Sequence, residues 1–138
     1  MRVLAIDFGF KRIGIAVAET EFGVVTPRPA LTATGTLRLD ADNLETVIKQ
    51  EAPELVLVGI PIEEDGTVGK MARVCQTVAD LLVDKGISVR TIDERYSSVE
   101  AETNLRQDDL KASQRRKLRD GEAAGILLRR FMESGEEA

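Results

Sequence analysis

Four stretches of this chain carry side chains whose types and spacing could do chemistry. Asp7 follows the apolar run Val3-Leu4-Ala5-Ile6 and comes just before Gly9, Lys11 and Arg12. Asp93, Glu94 and Arg95 end a second hydrophobic run. Lys111, Arg115, Arg116, Lys117 and Arg119 form a basic group, and Asp120 opens a helical stripe continued by Ala124, Leu127 and Phe131. Carboxylates gathered from distant points of a chain repel one another and resist full ionisation. Bound divalent cations remove that penalty. Paired metals on clustered acids are a standard means of cutting phosphodiesters, one activating water and the other steadying the leaving oxygen. Lysines and arginines near such a centre can hold backbone phosphates.

Each stretch also has a plainer reading. Asp7 suits an ordinary turn hydrogen bond. Asp93-Glu94-Arg95 suits a local ion pair. The basic group suits a solvated surface. Asp120, followed by Gly121, suits the cap of a helix that begins there.

Composition narrows the chemistry. The 138 residues contain no histidine and one cysteine, Cys75. Histidine-based triads and general bases are therefore excluded, and so is a zinc site. Carboxylates favour hard, oxygen-seeking ions such as Mg²⁺ or Mn²⁺. The single cysteine gives no disulfide framework. A net charge of −5 argues against general avidity for nucleic acid. The charge is uneven, however: Asp40, Asp42, Glu45, Glu51, Glu54, Glu63, Glu64 and Asp65 face only Lys49, whereas the basic residues collect later. There is no signal-peptide pattern and no apolar run long enough to cross a bilayer, so the expected location is the cytoplasm, with no membrane partner.

The elements that must position these groups follow from hydrophobic period. Val3–Ile6 reads as a strand covered on both faces, with Asp7 just beyond its end, and Ile13–Ala18 returns beside it through a bend at Gly9. Residues 23–32, broken by Pro27 and Pro29, read as an edge strand. A first helix is expected over 40–52, with Asp42 and Glu45 as a capping box, solvated acids and Pro53 as its end. Residues 54–60 make a central strand. The loop after it contains Gly-Thr-Val-Gly-Lys but is no phosphate loop: the first glycine would fall on Glu64, and Met71 replaces the metal-holding hydroxyl. A helix is expected over 70–85, burying Cys75 and ended by Gly86. A strand over 87–93 follows, then a short helix over 99–107. Residues 108–117 read as a mobile polar connection. The last helix is expected over 116–133, and the acidic tail as frayed.

Right-handed crossovers give the order 3-2-1-4-5 in one mixed five-stranded sheet with helices on both faces, an α/β fold filling a single domain, residues 1–138. Asp7 and Glu94 then leave the sheet near the same edge, where α/β folds gather ligands. The final helix can lay Asp120 across that edge.

Taken together, IDFGFKRIGIAVAE, VLVGIPIEEDGTVG, DERYSS and DGEAAGILLRRF make the chain resemble the YqgF (RuvX-like) family over nearly its whole length. That family is proposed to include Holliday-junction resolvases and nucleases maturing the 5′ end of pre-16S rRNA. The resemblance implies a ribonuclease-H-like fold and metal-binding catalytic acids at Asp7, Glu94 and Asp120. The choice of Glu94 over Asp93 rests on the resemblance; alternation leaves both open. Two departures stand out. Phe10 occupies a position that is usually small and polar, and Ser97-Ser98 replace the usual threonines.

The expected activity is a Mg²⁺- or Mn²⁺-dependent endonuclease on structured nucleic acid, with precursor rRNA favoured over branched DNA. Lys11, Arg12, Arg95, Lys111, Arg115, Arg116, Lys117 and Arg119 would bind phosphates. A non-catalytic RNA- or ribosome-binding module is the alternative of a different class. An actin-like ATPase would need two such domains to enclose a nucleotide. Junction resolution requires two symmetric cuts and so a dimer, but the sequence reveals no dimer face, and the expected state is a monomer or a homodimer.

Overall fold

The structure is a computed structural model that describes residues 1–62, 66 and 68–93, the backbone of 112–120, and residues 121–134 in full. Its elements are β1 (Arg2–Phe8), β2 (Arg12–Glu19), β3 (Val24–Thr32), α1 (Leu37–Glu51), β4 (Leu55–Ile60), α2 (Lys70–Asp84), β5 (Val89–Asp93) and α3 (Ala112–Ser134). The five strands form one sheet in the order β3-β2-β1-β4-β5. β1–β2 and β2–β3 are antiparallel, while β1–β4 and β4–β5 are parallel. The topology expected from the sequence is therefore the observed one.

Strand alternation divides the core into two layers. Leu4, Ile6 and Phe8 of β1, Ile13, Ile15 and Val17 of β2, and Val56 and Val58 of β4 pack against α1 and α2. Val3, Ala5, Ala16, Ala18 and Leu57 pack on the other side against Ala124, Leu127, Leu128 and Phe131 of α3. Small residues on the α3 side let that helix lie close. A Cβ added to Gly121 would stand 3.0 Å from the Pro27 Cβ and 3.7 Å from the Ile15 carbonyl oxygen.

Several expectations change. β1 continues through Phe8, so Asp7 lies within the strand rather than beyond it. Its pairing with Gly14 keeps the ladder going. α1 starts at Leu37 after Thr36, three residues earlier than 40, and no side chain caps it. Asp42 and Glu45 therefore form no capping box; Lys85 reaches both carboxylates instead. Nor are all the acids of α1 solvated. Asp40 is 1% exposed, and its Oδ1 accepts hydrogen bonds of 2.9 Å from both the backbone N–H and the hydroxyl of Thr34. α3 is already helical at Ala112, so residues 112–117 are not a connection, and residue 120 lies well inside the helix rather than capping it. Gly121 owes its place to close packing, not to a helix start. The helix expected over 99–107 and the acidic tail lie outside the described residues.

Glu51, at the end of α1, joins three elements. Arg28 of β3 donates to both of its carboxylate oxygens at 3.1 and 3.2 Å, and Arg2 of β1 donates to Oε1 and to the Glu51 carbonyl. Hydrogen bonds from Arg28 and then Arg2 hold the Glu51 carboxyl below its ordinary value of 4.5, against the opposing effect of burial. A depressed carboxylate pKa contributes stability that is fully present above the unfolded value and is lost as pH falls through the folded one. Glu51→Gln is accordingly expected to cost about 1 kcal/mol at pH 7, a charge-assisted bond discounted for partial exposure. The gap to the unsubstituted protein should narrow as the pH falls below 4.5. Urea unfolding at pH 7 and pH 3 checks this; an equal gap at pH 3 would show that the charge is not the cause.

Candidate active site

Asp7 is the described acid of the candidate set, and three features of the fold define its surroundings. The first is its face. Val3 and Ala5 belong to the α3-side layer and Leu4, Ile6 and Phe8 to the other, so alternation turns Asp7 toward α3. The second is its neighbours across the sheet. Gly14 of β2 pairs with Asp7, and Gly59 of β4 is next in line after the Ile6–Val58 pair. Neither neighbour carries a side chain, so the half-buried carboxylate is not crowded within its own row. The third is the helix above. Gly121 abuts Ile15, which pairs with Ile6, and this brings the backbone of residue 120 over the same end of β1.

The turn after Asp7 is tightly made. The Gly9 N–H donates to the Arg12 carbonyl at 3.0 Å, and a Cβ on Gly9 would stand 2.8 Å from that oxygen. Glycine is needed here for close approach. The Ala33 N–H donates to the Lys11 carbonyl at 2.9 Å, tying the turn to the connection that Asp40 holds through Thr34. Lys11 is exposed, and Arg12 is half-buried at the start of β2. Arg12 alternates onto the same face as Asp7. It also lines a groove of about 530 Å³ with Pro27, Pro29, Thr32 and Gly121 between β3 and α3.

Asp93 is brought elsewhere. Arg90 lies over the Phe131 ring and Ile92 packs on the α3-side layer, whereas Val89 packs on the opposite one. Asp93 therefore faces the α2 side, in a pocket with Ala72, Arg73 and Gln76. Asp7 and Asp93 stand at the same edge but on opposite faces of the sheet. Glu94, Arg95 and Lys111 lie outside the described residues. Arg115, Arg116, Lys117, Arg119 and Asp120 lie on α3, where only the backbone is described. Residue 120 stands one turn before Ala124, which is fully buried against the sheet.

Every candidate donor is a carboxylate oxygen, and Cys75 is fully buried on α2 with its thiol toward the Phe8 carbonyl. Such a donor set suits a hard divalent cation, although among the described residues no three metal-ligating side chains cluster. Sequence reasoning passed over the role of the glycines beside Asp7. The signal was present as Gly59 inside an otherwise apolar central strand, a pattern that marks close approach.

Comparison with known proteins agrees with this architecture. The family model RuvX, described as Holliday junction resolvase, matches residues 1–134. Two relatives carry the name "Putative pre-16S rRNA nuclease". The one from Opitutus terrae is 35% identical over 135 residues, covering 96% of this chain and 92% of its own. The one from Escherichia coli O157:H7 is 35% identical over 136 residues, covering 96% of each. Among solved structures, Thermus thermophilus RuvC in complex with a Holliday junction substrate superposes with a TM-score of 0.60 at 15% identity, over 98% of this chain and 96% of that one. The fowlpox virus Holliday junction resolvase gives 0.57 at 13% identity, over 97% and 99%. These two likenesses concern the fold, which is the ribonuclease-H-like arrangement expected from the sequence. On a match that spans nearly its full length, the chain belongs to the RuvX family.

Proposed function

We propose that this protein is a metal-dependent endonuclease that hydrolyses phosphodiesters in structured nucleic acid, its main task being maturation of the 5′ end of pre-16S rRNA. The observation that carries this reading is the setting of Asp7: a carboxylate on a central strand, flanked by glycines, beneath the stretch of α3 that bears residue 120. Relatives of matching length that are named for pre-16S rRNA favour RNA as the substrate. Asp7, Glu94 and Asp120 would hold Mg²⁺ or Mn²⁺. Ions bound there would supply an activated water and offset the charge that builds on the leaving oxygen.

The chain's own groups do the rest. Asp7 presents a fixed oxygen donor because its strand is paired on both sides. Lys11 and Arg12 offer cations beside it, and Arg95, Lys111, Arg115, Arg116, Lys117 and Arg119 extend the phosphate-binding surface. This work belongs in the cytoplasm, and a monomer suffices for a single cut. The family's description favours a second reading, junction resolution in branched DNA, which needs a dimer to make two symmetric cuts.

The deciding experiment offers the purified protein a 5′-extended pre-16S fragment and a four-way DNA junction, each with Mg²⁺, Mn²⁺ or EDTA. The expected result is cleavage of the RNA, lost in EDTA. Paired symmetric cuts in the junction by a dimer, with the RNA untouched, would establish the second reading. Binding without cleavage under every condition would leave a non-catalytic module.

A further inference from the structure

Phe10 belongs to no core. It is 63% exposed, at the tip of the turn between β1 and β2, three residues beyond Asp7. Single exposed apolar residues are common and need no special cause. What sets this one apart is how it is held and what surrounds it.

The turn is pinned at each point. Phe8 is 4% exposed and anchors the residue before Gly9. The Gly9 N–H bonds to the Arg12 carbonyl, and the Lys11 carbonyl accepts from Ala33. A ring borne on so fixed a turn loses little freedom when it meets a partner. The two residues that follow it, Lys11 and Arg12, are cations. An exposed aromatic face beside positive charge is the pairing that recognises a nucleobase with its phosphate. Bases in a duplex are already stacked and offer only their edges in the grooves, so a ring of this kind selects nucleotides that are unpaired.

Phe22 provides the contrast. At 76% exposure it is more open, but it lies on the turn between β2 and β3 at the other end of the sheet. Its neighbours Glu19 and Glu21 are carboxylates that hold Arg2 and the N-terminal amine, and the residues that follow it are Gly23 and Val24. Cations engaged by carboxylates are poor phosphate ligands, so exposure alone does not make an aromatic residue a base platform.

We infer that Phe10 is a stacking platform for an unpaired nucleobase beside the scissile phosphate, with Lys11 and Arg12 holding the flanking backbone. The inference rests on the nuclease reading of the Asp7 site for its place in the reaction, but its binding test needs no metal. Phe10→Leu keeps apolar bulk and removes the aromatic face; Phe10→Trp keeps the face. Each is titrated in EDTA against a short single-stranded RNA carrying one 2-aminopurine, and against a blunt RNA duplex.

Phe10→Leu is expected to weaken single-strand binding about tenfold or more and to abolish the fluorescence quenching caused by stacking. Phe10→Trp should retain both, and duplex affinity should change by less than about twofold. Circular dichroism should show an unchanged fold, since the side chain supports no core. Single-strand binding and quenching unaffected in Phe10→Leu would overturn the proposal. So would equal losses on single strand and duplex. A change of oligomeric state by native mass measurement, with binding intact, would assign Phe10 to an interface between copies and also overturn it. Absence of cleavage by the unsubstituted protein with Mg²⁺ or Mn²⁺ would instead sink the nuclease reading, a result this binding assay does not touch.

Discussion

Asp7→Asn should lower cleavage at least about a thousandfold while leaving the melting temperature nearly unchanged. The substitution keeps the size and shape of the side chain but removes its charge. An amide is a poor ligand for a hard divalent cation, and metal assistance contributes several kcal/mol of transition-state stabilisation, each 1.36 kcal/mol being a factor of ten. The fold should tolerate the change because Asp7 is only half-buried and its flanking positions, Gly14 and Gly59, have no side chains to clash. Single-turnover cleavage with Mn²⁺ and thermal unfolding, measured on the same preparation, separate the two effects. Retained cleavage would remove Asp7 from the chemistry. Loss of cleavage together with the fold would make it a structural residue.

Phe131→Ala should be the most damaging core substitution, at about 3–5 kcal/mol. Phe131 is fully buried where α3 meets the sheet, in a cluster that includes Val3, Ala5, Ala16, Ala18, Leu57, Leu127 and Leu128. The sheet side of this contact is rich in alanine, whose methyls cannot swing into the space vacated. The Arg90 guanidinium, 5.5 Å from the ring centroid, also loses its partner. A domain of this size has roughly 5–15 kcal/mol in total, so the loss removes a large share. Phe131→Leu should cost far less, since it nearly conserves volume. Cleavage should fall with the folded fraction, because α3 carries residue 120 to the edge where Asp7 stands. Urea denaturation gives the stability; a loss below about 1 kcal/mol would mean that this face does not hold the helix.

Much of this was legible in the chain itself. Apolar runs and their periods are local properties, and they gave the five strands, the three described helices and the strand order once right-handed crossovers were applied. The prolines in residues 23–32 marked β3 as an edge. The lack of histidine and the burial of the one cysteine left only oxygen donors, whatever the geometry.

Other features depended on contacts between segments far apart in sequence, and no local pattern encodes those. Asp42 and Glu45 have the spacing of a capping box, yet Lys85, brought close by the packing of α2 on α1, takes both of them. Glu51 seemed one more solvated acid until Arg2 and Arg28 converged on it from two strands. Gly121 resembled a helix start because glycine interrupts helices, but its cause is the approach of α3 to Pro27 and Ile15. The same holds for the faces of the acids. Strand period alone left the relation of Asp93 to Asp7 undetermined; the packing of Arg90 and Ile92 against α3 fixed it, by turning Asp93 to the other side of the sheet. Sequence determines which groups can act, because side-chain chemistry is intrinsic to each residue. Tertiary structure decides which of them share a face, because that depends on the element packed against each strand.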